Sequence, residues 1–428
     1  MSRSTVKEKH RRYLILTAVL PKQAFISSIL VIFYLGHLNI SFSEYLILDA
    51  ILFISVALAE LPSGYIADYF GRKKILIIAL FLDLISMLVL LVSNSFTGGL
   101  LSIIILSLGL SMGSGNAQSI LYESYDCIND VDSFKKINSN ANSITLVCIS
   151  LYSICSGFIF KMNMNYILYL DIVFVILNIV VTYIFLIDNK PNGNRRLKRK
   201  KKKAVLNLSV IKFQSLTKTL PVFISLALLF VFFRVTFNYY QPIYENFNIP
   251  VEVFGFFPLI YNGLAALGSQ LYKKVIGQLS NERVQIYVII SILLFSVIGI
   301  FIFRYNVIGV FVAICIQQIC RGADISLQPV MINGVIPKNT NYRTMYISFF
   351  NMINTLLVFL FTMFSSAILG VVDLFTALFI ISLTIVVVLA IVNSIKRKTS
   401  TFNDVPFITE ETNVTIEKIK RIRNKSKN

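Results

Sequence analysis

Apolar residues fall in long blocks along the chain, each near twenty residues or more, separated by short polar or charged breaks. A helix needs about 20 apolar residues to cross the hydrocarbon core of a bilayer. Blocks of that length predict membrane spans rather than the half-buried helices of a soluble domain. Set against turn and charge signals, they fall at 13–37, 44–67, 75–93, 99–122, 142–161, 166–186, 219–241, 253–276, 284–303, 307–335, 344–369 and 374–394. The expected fold class is all-α integral membrane, with twelve transmembrane helices in two six-helix halves. The first block begins close to a basic start and runs too long for a cleaved leader, so it reads as a retained helix. The pattern divides the chain into a basic N-terminus (1–12), a first bundle (13–186), a basic linker (187–218), a second bundle (219–394) and a basic tail (395–428).

Composition agrees with this division. The 428 residues are 56% apolar and only 14% charged, against roughly a quarter charged in soluble proteins. A soluble enzyme, a secreted disulfide scaffold and a disordered chain are all excluded. The five cysteines lack metal-ligand spacing, and Cys148, Cys155, Cys315 and Cys320 lie inside apolar blocks, where a thiol behaves as a small hydrophobe. No metal site and no cofactor are expected. The net charge of +19 first suggests nucleic acid, but its distribution points elsewhere. With both termini cytoplasmic, 35 of the 40 Lys and Arg lie in cytoplasmic segments, as the positive-inside rule requires. The linker run from Arg195 to Lys203 reads either as a solvated segment that fixes orientation or as one that docks on anionic lipid headgroups, which are expected near both linker and tail. The tail around Val414, Ile416, Ile419 and Ile422 reads either as a basic amphipathic helix on the membrane or as an unstructured end. Heavy use of Ile, Asn and Lys points to an AT-rich bacterial genome, hence a multi-pass protein of a bacterial plasma membrane.

After the second block comes Glu60-Leu61-Pro62-Ser63-Gly64-Tyr65-Ile66-Ala67-Asp68-Tyr69-Phe70-Gly71-Arg72-Lys73-Lys74. Gly64 permits close helix approach, Gly71 permits a tight turn, and the basic triplet anchors the loop inside. Asp68 and Arg72 can form charge-assisted contacts that break when neighbouring helices move. The stretch resembles the loop signature of the major facilitator superfamily, G-x-x-x-D-x-x-G-R-[RK]-[RK], at every defined position. Glu-x-Pro-Ser-Gly ahead of it is similar to the variant common among bacterial efflux-type members. Weaker echoes are Ser114-Gly115-Asn116-Ala117 with Leu121-Tyr122-Glu123-Ser124, and Arg343 to Ser348. The resemblance implies a conformational latch of Gly64, Asp68, Gly71, Arg72 and Lys73, with Glu123 as the partner of Arg72. Departures from the pattern, among them Lys22 where several multidrug exporters place an acid, point away from a broad cationic-drug exporter.

Ionisable residues inside spans are costly and mark functional positions. Counted along the helices, Lys22, Glu60 and Asp83 share a depth, so Lys22 can pair with either acid. The family pattern places spans 1, 4, 7 and 10 around a central cavity, which implies a lining of Lys22, Asn116, Gln118, Arg234, Asn238, Tyr239, Gln317 and Arg321, with Asp324 beside Arg321. Arg321 and Asp324 stand three apart on one helix face and either satisfy each other or serve the cavity. Such a cavity leans positive and favours an anionic or zwitterionic group. Asp49 and Asp171, near outer ends, receive no role. The proton-coupling candidates are Glu60, Asp324 and Asp83. The two histidines, His10 and His37, form no catalytic set, and no phosphate-binding loop or nucleophile elbow is present. The chain is therefore expected to be a monomeric secondary transporter, not an enzyme, moving a small or amphipathic compound by alternating access. Proton-coupled efflux is the first choice. A lipid or peptide flippase and a nutrient importer are the alternatives on the same fold. A non-transporting membrane subunit or a polytopic membrane enzyme is the alternative of another class.

Overall fold

The computed structural model describes residues 3–114, 116–126, 130–187, 213–279, 282–336 and 343–395, and among these there is no strand. Most of the linker and the tail lie outside the described residues. The helices are α1 (Arg3–Val19), α2 (Leu30–Leu38), α3 (Phe42–Phe70), α4 (Arg72–Val92), α5 (Phe96–Gly113), α6 (Asn116–Asp126), α7 (Val131–Met162) and α8 (Asn165–Phe185). They continue with α9 (Phe213–Asn246), α10 (Val251–Phe254), α11 (Phe257–Lys274), α12 (Glu282–Ile302), α13 (Val307–Val335), α14 (Arg343–Leu369) and α15 (Leu374–Ile395). Among the described residues, eleven stretches of helix are long and apolar enough to cross a membrane.

Local signals explain the ends. Ser41 and Glu44 form a reciprocal capping box at the start of α3, satisfying two backbone donors that would otherwise be orphaned. Asn306 accepts from Ile308 N and Gly309 N at 3.0 and 3.2 Å to open α13. Between α3 and α4 the chain turns on Gly71 at φ 98°, a conformation that only glycine adopts cheaply.

The first span differs from its expectation. In place of one helix over 13–37, α1 stops at Val19 and α2 starts at Leu30, with a single 3-10 turn at Ile26–Ser28 between them. Pro21 lacks an N–H and its ring crowds the preceding turn, and Gln23 takes a left-handed φ of 52°. A break at membrane depth persists only where its freed backbone groups find partners in the protein. Here they do. Asn178 Nδ2 donates to Leu20 O at 2.7 Å. Asp171 accepts from Phe25 N and Ile26 N at 3.1 and 3.0 Å. Gln241 accepts from Val31 N at 3.0 Å and donates to Ser28 O at 3.0 Å.

Within each part of the chain the helices pack side by side, α4 on α5 and α3 on α5 in one, α11 on α13 and α9 on α15 in the other. One face of the assembly carries both ends of the bundle and the turn at Gly71; the opposite, far face carries the turns at 39–41, 163–164, 247–250 and 370–373. The halves 13–186 and 219–394 meet where α3 packs on α14, and the hydrogen bonds and ion pairs between them, among the described residues, lie toward the far face. Ser43 and Ser366 exchange hydrogen bonds, Ser153 Oγ donates to Gly255 O at 2.8 Å, and Lys161 pairs with Glu252. At Gly157 an added Cβ would stand 2.7 Å from Val251 O, so the two backbones touch directly there.

Candidate functional site

Three charged clusters occupy the middle of the helices. In the first, Lys22 at the break of span 1 pairs with buried Asp83 of α4. Asp83 packs over Gly109 of α5, and its Oδ1 has no hydrogen-bond partner. Of the two acids at the depth of Lys22, the structure selects Asp83. Glu60 is half-buried and has no side-chain partner among the described residues.

The second cluster joins the two halves. Arg234 Nη2 donates to Asp49 Oδ1 at 2.5 Å, Asn238 Nδ2 donates to Asp49 Oδ2 at 2.9 Å, and Arg234 Nη1 donates to Asn238 Oδ1 at 2.6 Å. The guanidinium also lies 5.0 Å from the ring centre of Phe53. Asp49, expected to be hydrated and without a role, is 3% exposed. The position of a residue along a helix does not reveal its rotation, and α9 turns a guanidinium onto this acid from the other half. Asp171 is likewise fully buried and holds the break of span 1. Tyr239 does not stand free in a cavity: its hydroxyl meets Ser365 of α14 and its ring meets Phe42 edge-on at 5.1 Å.

The third cluster lies in the second half. Arg321 and Asp324, three apart on α13, do not satisfy each other. Arg321 Nη2 donates to Asn262 Oδ1 of α11 at 3.0 Å, and Asp324 accepts from Gln328 Nε2 at 3.0 Å. Arg321 Nε and Asp324 Oδ1 have no hydrogen-bond partner. Both side chains reach toward different neighbours, so their shared helix face brings them no contact. Tyr240 ties the same helix to α9, donating to Gln317 Oε1 at 2.7 Å and accepting from Gln318 Nε2 at 3.1 Å. Of the expected lining in span 4, Asn116 is buried and donates to Met112 O at 2.6 Å across the interruption between α5 and α6, while Gln118 is exposed.

At the loop signature, Arg72 Nη1 donates to Glu123 Oε1 at 2.7 Å. Lys73 Nζ donates to Tyr183 O at 2.8 Å and stands over the Tyr183 ring. Gly64 lies in α3, and the side chain of Asp68 is outside the described residues. These contacts tie α4 to α6 and α8 at the face that carries the chain ends. Beside the break of span 1, Gln23, Tyr34, Tyr45, Asp49 and Ser86 help line a cavity of about 60 Å³, room for a few waters.

The profile of the Major Facilitator Superfamily matches residues 14–316, well over half of the chain. The chain belongs to the Major Facilitator Superfamily. Solved structures of similar fold include the nucleoside transporter NupG, at 13% identity and a TM-score of 0.63, covering 92% of this chain and 100% of that one. The POT family transporter PepTSo has 12% identity and a TM-score of 0.69, covering 94% and 99%. A D-xylose–proton symporter has 14% identity and a TM-score of 0.57, covering 90% and 96%. No sequence among curated proteins matches the chain. As a superfamily member the protein is a transporter and not an enzyme, and its many membrane-spanning helices make it a multi-pass membrane protein.

The residues that sequence reasoning passed over are Asp49, Asp171, Asn178, Gln241 and Asn262. Two of these are intramembrane acids, and the cost of burying such groups was a signal available for both. The three amides carried none, because an amide inside an apolar block says nothing of the helix it will meet.

Proposed function

We propose that this superfamily member is a secondary active transporter that crosses the bilayer twelve times, with α1 and α2 forming one interrupted crossing, and works by alternating access. The two halves rock about a midplane site, and the state described here is closed at the far face. Both termini and the linker are cytoplasmic, so the closed face is the outer one. The observation that carries this reading is the Asp49–Arg234–Asn238 cluster with the Ser43–Ser366 contact above it. A buried ion pair shared between halves must be broken and remade whenever the far face opens. The pair Ser43→Cys with Ser366→Cys tests it. An oxidised disulfide there should abolish flux, and reduction should restore it; undiminished flux in the crosslinked protein would sink the reading.

The cargo is a small or amphipathic compound, and export in exchange for protons is the first choice, supported by the Glu-x-Pro-Ser-Gly variant of the loop signature. Asp324 is 3% exposed and is held by Gln328, with no ion pair among the described residues, and Glu60 has no side-chain partner among them; a carboxylate so placed is expensive unless it is periodically protonated. Asp83 is bound to Lys22 and ranks behind them. Uptake by proton symport is the second reading, favoured by the D-xylose–proton symporter among the similar structures. In vesicles with an imposed proton gradient, the direction of accumulation separates the two readings. Asp324→Asn should abolish driven accumulation in either case while leaving exchange intact. The Arg72–Glu123 pair serves as the cytoplasmic latch, and Asp68→Asn should slow transport at normal abundance.

A further inference from the structure

Three cations sit at membrane depth, and the structure separates them. Lys22 is matched by Asp83 and Arg234 by Asp49. Arg321 has no acid among the described residues. Its one partner is the neutral amide oxygen of Asn262, and its Nε is buried with nothing to donate to. A guanidinium offers five N–H donors and stays charged, so most of this group's capacity is unused. Arg321 is only partly buried, and Asn262 and Gly263 beside it on α11 are exposed, with open space where a Gly263 side chain would stand. Charged and amide groups do not face hydrocarbon at this depth; they face water or a ligand.

The surroundings favour one ligand chemistry. Gln317, one turn before Arg321 on the same helix, is fully buried and its Nε2 is a donor without an acceptor. Asp324 lies one turn further on but is engaged by Gln328 and leaves Arg321 uncompensated. We infer that Arg321, positioned by Asn262, binds the oxyanion group of the cargo, a carboxylate or phosphate on a small organic molecule. The inference rests on the transporter reading above for the word cargo, but not for the site itself. Charge and geometry agree, because a planar guanidinium matches an oxyanion through two parallel N–H donors. The overall lean toward anions that Lys22, Arg234, Arg321 and Asp324 together suggested is thereby narrowed to a single residue.

The test is thermal protection of the purified full chain in detergent by four probes that share a phenyl ring: benzoate, phenyl phosphate, benzamide and benzylammonium. Benzoate or phenyl phosphate should raise the unfolding temperature, and benzamide and benzylammonium should not. Arg321→Gln should weaken the anion effect by about tenfold or more, as removal of a charged hydrogen-bond donor does, and Arg321→Lys should keep part of it. Equal protection by the neutral and cationic probes, no protection by either anion, or an unchanged anion effect in Arg321→Gln overturns the inference. If Arg321→Gln does not fold, phenylglyoxal labelling of Arg321 in the intact chain gives the same answer: benzoate should block it, and labelling indifferent to benzoate overturns the proposal. Binding without flux in vesicles would leave this site standing and remove the transporter reading. Driven flux unaffected by Arg321→Gln would do the reverse.

Discussion

The first and seventh spans both contain proline, yet one is broken and the other runs unbroken for 34 residues through Pro221 and Pro242. Proline removes a donor and frees a carbonyl in either case. What differs is the company each helix keeps. Around positions 20–32 the neighbouring helices present Asn178, Asp171 and Gln241, which take up the carbonyl of Leu20 and the N–H groups of Phe25, Ile26 and Val31. Gln241 belongs to the seventh span and stands immediately before its second proline. The continuous helix therefore serves as a template on which the interrupted one is held, and the partners for freed backbone groups decide whether a chain may leave the helix inside a membrane.

The comparison breaks most sharply at Asp171. Replacing it with leucine strands two buried N–H donors, and a loss of about 3 kcal/mol is expected, read as a lowered unfolding temperature in detergent. Asp171→Asn should cost less, since the amide oxygen still accepts. Unchanged stability in Asp171→Leu would mean the break holds itself. Gln241→Leu comes next, at about 1–2 kcal/mol, and it should also loosen the contact between halves, seen as faster maleimide labelling of a Ser43→Cys reporter. Pro21→Ala should change stability by less than about 1 kcal/mol, because the partners of the break remain. A large gain there would show that proline alone sets the interruption.

The smallest effect concerns the foot of the same span. His10 is buried against Ile187 N at 3.2 Å, and burial holds its imidazole below the ordinary histidine value, with Lys73 acting in the same sense. The unfolded chain therefore binds the proton more readily. The contribution is fully present above about pH 6.5 and is lost as pH falls through the lower folded value. Unfolding temperatures compared at pH 7.5 and pH 5.5 should show a small drop that His10→Gln abolishes.

Much of the fold was legible because hydrophobic length is a direct consequence of bilayer thickness. Spans such as 307–335 and 344–369 coincide with helices to within a residue. The turn at Gly71 and the contact of Arg72 with Glu123 stand where the loop signature put them. The first span was misread because hydropathy is blind to backbone geometry: Leu20-Pro21-Lys22-Gln23 sits between apolar stretches and its interruption depends on side chains more than a hundred residues away. The same blindness governs pairing. Arg321 and Asp324 are neighbours on a helical wheel, yet each found another partner, while Asp49 and Arg234 met across 185 positions. Depth along a helix can be counted, but rotation cannot.

At the far-face seam, α7 and the turn around Gly255 meet with no side chain between them at Gly157 and Gly255. Apart from the Ser153 hydroxyl and the Lys161–Glu252 pair, such a surface orders few rotamers when it forms, so little conformational entropy is lost in closing it. It is also unforgiving. A single methyl group at Gly255 would act as a wedge between the two backbones without disturbing any charge. The tightness of the far-face seam thus hangs on the absence of one carbon atom.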